Sequence, residues 1–196
     1  MKTLKEIATF FGTDKAVNHK NHGEGHGYCD FYDYHLSSLR FDKLKIFEIG
    51  IFDGASLRMW EEYFPNSIIY GIDILAEPQS ILINQNRIKS YKLDAGDIVS
   101  LKEFIKEHGP FDIVIDDGSH FTNHQWISWK MLSGECKIFI WEDLHTSRMP
   151  HYMRGTNDGK YPLDFAKELS IKLPGNNFVF DRDNDEKHVT FLRKNL

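Results

Sequence analysis

The chain has 196 residues, 41% of them hydrophobic, which suffices for one well-buried domain and little more. A formal net charge of −5, with Lys/Arg and Asp/Glu mixed along the whole length, leaves no basic stripe for a phosphate backbone and excludes nucleic acid as an expected partner. Two distant cysteines without metal spacing, Cys29 and Cys136, and the lack of any apolar run of membrane-spanning length predict a cytoplasmic protein with no disulfide framework and no membrane contact.

Short β-branched runs alternate with stretches of helical period, the pattern of βα units on a mostly parallel sheet. Residues 1–44 form a preamble, with one short amphipathic helix followed by the polar, histidine-rich GTDKAVNHKNHGEGHGY. Strands are predicted at 45–49, 68–74, 90–93, 111–115 and 137–141. Helices are predicted at 55–64, 76–87, 98–108, 122–132 and 162–173. NNFVFDRDNDEKHVTFLRK then reads as two alternating strands, 177–180 and 189–193, around a polar turn, so a seven-stranded α/β sheet should end in an antiparallel hairpin. The irregular stretch 145–162 is long enough for a lid or binding loop. No linker or repeat divides the chain, and 1–196 is read as a single domain.

In an open parallel sheet the ligand lies beyond the carboxyl ends of the strands. Here those ends are acidic. EIGIFDGAS brings Glu48, Gly50, Gly54 and Ser56, the second strand ends in Asp73, and LDAGD carries Asp94 and Asp97. IDDGSH supplies Asp116, Asp117 and His120, and WEDLH supplies Glu142 and Asp143. Any one of these acids also reads as a helix N-cap or turn residue, but five acidic strand ends in a row read as a site. The glycines match neither GxGxxG nor GxxxxGK[ST], which disfavours an NAD-dependent oxidoreductase and suits a ligand without phosphate. A hard cation such as Mg²⁺ takes oxygen ligands, and Asp117, Glu142 and Asp143 could supply three from adjacent strand ends. A metal-binding protein without group transfer is the other alternative.

EIGIFDGAS with an acid ending the next strand resembles the S-adenosylmethionine-binding face of class I methyltransferases. IDDGSH followed by WEDLHTS, together with FGTDK, HGY and YGIDI, resembles the metal-dependent sugar O-methyltransferases of macrolide and aminocoumarin biosynthesis over most of the chain. That resemblance implies a Rossmann-like class I methyltransferase fold, S-adenosylmethionine and Mg²⁺ as cofactors, and methyl transfer to a sugar hydroxyl. By the same resemblance the cofactor's amino-acid end lies near Glu48, Gly50 and Ser56 on the loop that includes Gly54. Its ribose then lies on Asp73 and its adenine near Asp94 and Asp97. Asp117, Glu142 and Asp143 become metal ligands, and His120 the general base. Ser133-Gly134-Glu135 departs from the Pro-Gly-Gly turn often found before the fifth strand in such proteins.

Arg148, His151, Arg154 and Lys160 gather in the 145–162 stretch and read either as solvated loop charges or as a phosphate clamp. The clamp would make the acceptor a nucleotide-linked or phosphorylated sugar. His19, His22, His26 and Cys29 include an HxxxH spacing, but nearby glycines oppose the helix that would align it. The stretch is read as a loop over the pocket rather than a zinc site. A homo-oligomer is compatible with the sequence.

Overall fold

The computed structural model describes residues 1–16, 18–19, 23–74, 87–172, 178–180 and 190–193. Two short antiparallel segments, β1 (Asn18–His19) and β2 (Gly23–Glu24), stand apart from the main sheet. Five parallel strands form the centre of that sheet: β3 (Lys45–Ile49), β4 (Ile68–Asp73), β5 (Ile88–Lys92), β6 (Ile113–Asp116) and β7 (Ile138–Trp141). Two further segments, β8 (Phe178–Phe180) and β9 (Thr190–Arg193), lie beyond β7 in the order β5-β4-β3-β6-β7-β9-β8. β9 pairs antiparallel with both β7 and β8. The turn expected between them, 181–189, and the expected helix 76–87 apart from Arg87 lie outside the described residues.

Neighbouring residues on a strand point to opposite faces, so each parallel strand serves two cores. On one face Ile46, Ile113, Ile115, Ile138 and Ile140 pack with Leu4 of α1 (Leu4–Phe11), Tyr32 of α2 (Cys29–Leu36) and Trp60 of α3 (Ala55–Tyr63). On the other, Phe47, Ile49, Val114, Phe139 and Trp141 meet Leu101 of α4 (Ile98–His108), Trp126 of α5 (Thr122–Leu132) and Leu163 of α6 (Pro162–Lys172). The N-terminal preamble is therefore part of the core. A reciprocal Thr3/Glu6 capping box starts α1, and Gly12, at φ 73°, ends it. Sequence periodicity predicts no helix at α2, which has no side-chain cap and is held by buried Cys29, Tyr32 and Leu36 on one face.

The strand order places the site. From β3 the chain builds outward through β4 to β5, then returns to lay β6 on the other side of β3. A crevice opens where two neighbouring strands are followed by connections in opposite directions, here above Ile49 and its register partner Asp116.

Candidate active site

A cavity of about 550 Å³ fills that crevice, lined among others by Gly50, Ser56, Asp73, Asp94, Asp117, His120 and Asp143. The backbone around it is strained: Phe52 (φ 48°), His120 (φ 58°) and Asp143 (φ 54°) line the cavity in the left-handed region that non-glycine residues avoid. Such conformations cost on the order of 1–3 kcal/mol each and persist where surrounding contacts enforce them.

On the β3 and β4 side, Asp73 Oδ2 accepts the backbone N–H of Ile51 at 2.8 Å and of Phe52 at 2.9 Å, pinning the loop after β3. Gly50, at φ 95°, meets a need of the protein itself, since a Cβ there would stand 2.0 Å from the Asp117 carbonyl oxygen. The segments that follow β3 and β6 approach each other too closely here for a side chain. Gly54, at φ 77°, is the N-cap of α3 and does not line the cavity. Asp94 lines the cavity and accepts the N–H of Gly96 at 2.8 Å. Asp97, expected beside it near the adenine, is not among the lining residues; it caps α4, accepting from Val99 N at 3.0 Å and from Ser100. Glu48 is fully buried behind the wall, where Ser56 Oγ donates to it at 2.8 Å.

On the β6 and β7 side the acids sort into two groups that share Asp117. Ligand atoms of Asp117, His120 and Asp143 lie within 4.8 Å of one another, as do those of Glu48, Asp117 and Glu142. The expected trio of Asp117, Glu142 and Asp143 is divided because Glu142 and Asp143 follow each other at a strand end. Asp143 reaches the cavity, whereas Glu142 faces away from it and accepts from Lys15 Nζ at 2.9 Å and from the Tyr32 hydroxyl.

Four N-terminal residues complete this cluster. Lys15, fully buried, also meets Asp117 Oδ2 at 2.5 Å and Glu48 Oε1 at 3.2 Å. Tyr28 donates to Asp143 Oδ1 at 2.5 Å, and His26 Nδ1 lies 3.1 Å from that same oxygen. Burial works against the Lys15 proton, but Asp117, Glu142 and Glu48 hold it on and push its pKa well above the ordinary lysine value. Burial raises Glu142 well above the usual carboxylate range with help from the Asp117 charge, and brings Glu48 to about 7 against the pull of Lys15. Asp143 behaves in the opposite way. Burial pushes it up, but His26, His120 and Tyr28 hold it well below the ordinary value. His120 Nε2 sits 3.7 Å from Asp143 Oδ2.

The histidine-rich stretch thus reaches the site through His26. Cys29 is buried and its thiol donates to the Lys15 carbonyl, while His22 lies outside the described residues. The four cations of the 145–162 stretch do not gather at the cavity wall. Arg148 pairs with Asp164, Lys160 with Glu168, and the Arg154 guanidinium stacks 3.4 Å over the Phe121 ring; none of these three, nor His151, lines the cavity.

No protein-family profile matches the chain. It is 34% identical over 140 residues to the 8-demethyl-8-(2-methoxy-alpha-L-rhamnosyl)-tetracenomycin-C 3'-O-methyltransferase of Streptomyces olivaceus, covering 66% of this chain and 35% of that one. It is also 34% identical over 151 residues to the demethylmacrocin O-methyltransferase of Streptomyces fradiae, covering 72% and 38%. The chain therefore spans little more than a third of the length of these curated relatives. Among solved structures, the MycE methyltransferase of the mycinamycin biosynthetic pathway, in complex with Mg, SAH and mycinamycin VI, superposes with a TM-score of 0.78. That match has 27% identity and covers 98% of this chain and 54% of the other. The chain has the class I methyltransferase fold and is related in sequence to the sugar O-methyltransferases of macrolide and tetracenomycin biosynthesis.

Proposed function

We propose that this chain binds S-adenosylmethionine in the crevice above β3 and β6 and transfers its methyl group to a hydroxyl of a sugar carried on a small molecule, with a divalent cation such as Mg²⁺ held at Asp117 and Asp143. The observation that carries this reading is that one cavity presents two complementary walls. The glycine loop, Asp73 and Asp94 line one, and Asp117, His120 and Asp143 line the other. The first wall suits a ligand that presents a ribose diol and needs no phosphate cradle. The second fits a hard cation, because two carboxylates of different strand ends converge with ligand spacing and Asp143 is kept ionised by its neighbours.

A cation bound there supplies Lewis-acid polarisation of the acceptor hydroxyl. The chain's own residues do the rest. His120, beside Asp143 at the cavity wall, takes the hydroxyl proton on its imidazole. Asp73 fixes the loop that orients the cofactor, and the walls align donor and acceptor, which is the main requirement of a transfer with no covalent enzyme intermediate. With Arg148, Arg154 and Lys160 engaged by protein partners, a glycosylated acceptor is favoured over a nucleotide-linked or phosphorylated one.

Isothermal calorimetry with S-adenosylhomocysteine, with and without EDTA, tests the first half of the reading. Binding that survives the chelator is expected, since the cation serves the acceptor side. No binding under either condition would leave a metal-binding protein without methyl transfer.

A further inference from the structure

Carboxyl groups converging in a protein interior are neutralised by protons, by a cation or by both, because buried charge is tolerated only when paired. In the inner of the two acid groups, Glu48, Asp117 and Glu142, that cation is Lys15. Its ammonium lies 3.2, 2.5 and 2.9 Å from one oxygen of each, and its side chain is wholly removed from solvent. Two of the ammonium's N–H groups donate to Asp117 Oδ2 and Glu142 Oε2, and Glu48 Oε1 stands beside it as an ion-pair partner without a hydrogen bond. Two of the second oxygens are occupied as well: Tyr32 donates to Glu142 Oε1 and Ser56 to Glu48 Oε2. Those same three carboxylates have the mutual spacing of metal ligands, as does the outer group of Asp117, His120 and Asp143 that faces the cavity.

We propose that Lys15 is a built-in cation filling the inner of two adjoining cation positions, so that the cluster accepts a single divalent ion on the cavity side. Two-metal centres hold their ions about 3.5–4 Å apart across a shared carboxylate. Asp117 is the residue common to both groups here, and Lys15 pairs with every member of the inner one. By fixing Asp117 through Oδ2, Lys15 also sets the orientation of the carboxylate that the outer position shares, which makes it a positioning residue. The lysine comes from the segment after α1, so the inner position is closed by the N-terminal part of the chain against acids on β3, β6 and β7. The inference rests on reading the outer group as a divalent-cation site.

The test is a count of bound Mn²⁺ per chain, by equilibrium dialysis of EDTA-stripped protein, for the parent, Lys15→Met and the double variant Lys15→Met/Glu48→Gln, with circular dichroism to follow folding. The parent should bind one ion, Lys15→Met two, and the double variant one again, because Glu48 belongs to the inner group alone. A Lys15→Met protein that folds only when Mn²⁺ is added also supports the proposal, since a divalent ion then replaces the ammonium. It is overturned if Lys15→Met binds the same number of ions as the parent, or stays unfolded at every Mn²⁺ concentration. The outer-site reading fails separately: a parent that binds no ion refutes it, while a single ion gained by Lys15→Met in that case still supports the lysine's role.

Discussion

Replacing Asp73 separates the loop pinning that the structure shows from the ribose binding proposed for the same carboxylate. Its Oδ2 accepts two backbone N–H groups, from Ile51 and Phe52, at 2.8 and 2.9 Å, and these bonds hold Phe52 at φ 48°. Hydrogen bonds to a charged group contribute roughly 1.5–3 kcal/mol when desolvated, and less at a half-buried side chain such as this one. A left-handed non-glycine residue costs about 1–3 kcal/mol, so the two bonds roughly offset the strain of the loop. Asp73→Ala removes the pin and any bond to the ribose, and S-adenosylhomocysteine binding should weaken by about 1–3 kcal/mol, or roughly 5- to 150-fold. Asp73→Asn keeps an acceptor oxygen for the loop but removes the negative charge, and should fall between the parent and the alanine variant. Calorimetry gives the affinities, and thermal melts report whether the loop change spreads. Affinity in Asp73→Ala within about twofold of the parent would remove Asp73 from the site. Parent-like affinity in Asp73→Asn beside a weakened Asp73→Ala would leave it as a loop anchor alone.

Asp97→Ala should lower Tm by removing the α4 cap yet leave S-adenosylhomocysteine affinity unchanged; a loss of affinity would return Asp97 to the site. Gly50→Ala should abolish cofactor binding or folding, because its Cβ would lie 2.0 Å from a backbone oxygen at φ 95°, and a melt and titration indistinguishable from the parent would contradict that geometry. His120→Ala should keep cofactor affinity and Mn²⁺ binding in dialysis while losing turnover by about 10²–10⁴-fold, the range for a removed general base. Parent-like turnover would take the proton-acceptor role away from it.

The acidic strand ends were legible because a parallel sheet with one crossover reversal puts its crevice at the carboxyl ends, whatever the side chains. Asp73, Asp94, Asp117, His120 and Asp143 line one cavity there. Asp97 misleads because a carboxylate just after a strand and one just before a helix occupy the same place in a short βα loop, and only the Val99 and Ser100 contacts distinguish them. Glu142 and Asp143 are adjacent in sequence, but successive residues at a strand end face opposite ways, so one meets Lys15 and the other the cavity. Lys15, His26, Tyr28 and Tyr32 carry no periodic signal because their site partners, Glu48 apart, lie more than a hundred residues away. The first three do fall within or beside FGTDK and HGY, stretches whose resemblance to known enzymes pointed to the site without giving their roles.

The central claim is tested most directly by transfer of labelled methyl from S-adenosylmethionine to a panel of glycosylated macrolide and polyketide acceptors, before EDTA, after EDTA and after restoring Mg²⁺. The proposed cavity requires label in the sugar of at least one acceptor, its loss with the chelator and its return with the metal, with Asp117→Asn and Asp143→Asn behaving as the chelated parent does. Transfer that persists undiminished in EDTA and in both variants would contradict the assignment of these carboxylates to a cation that activates the acceptor.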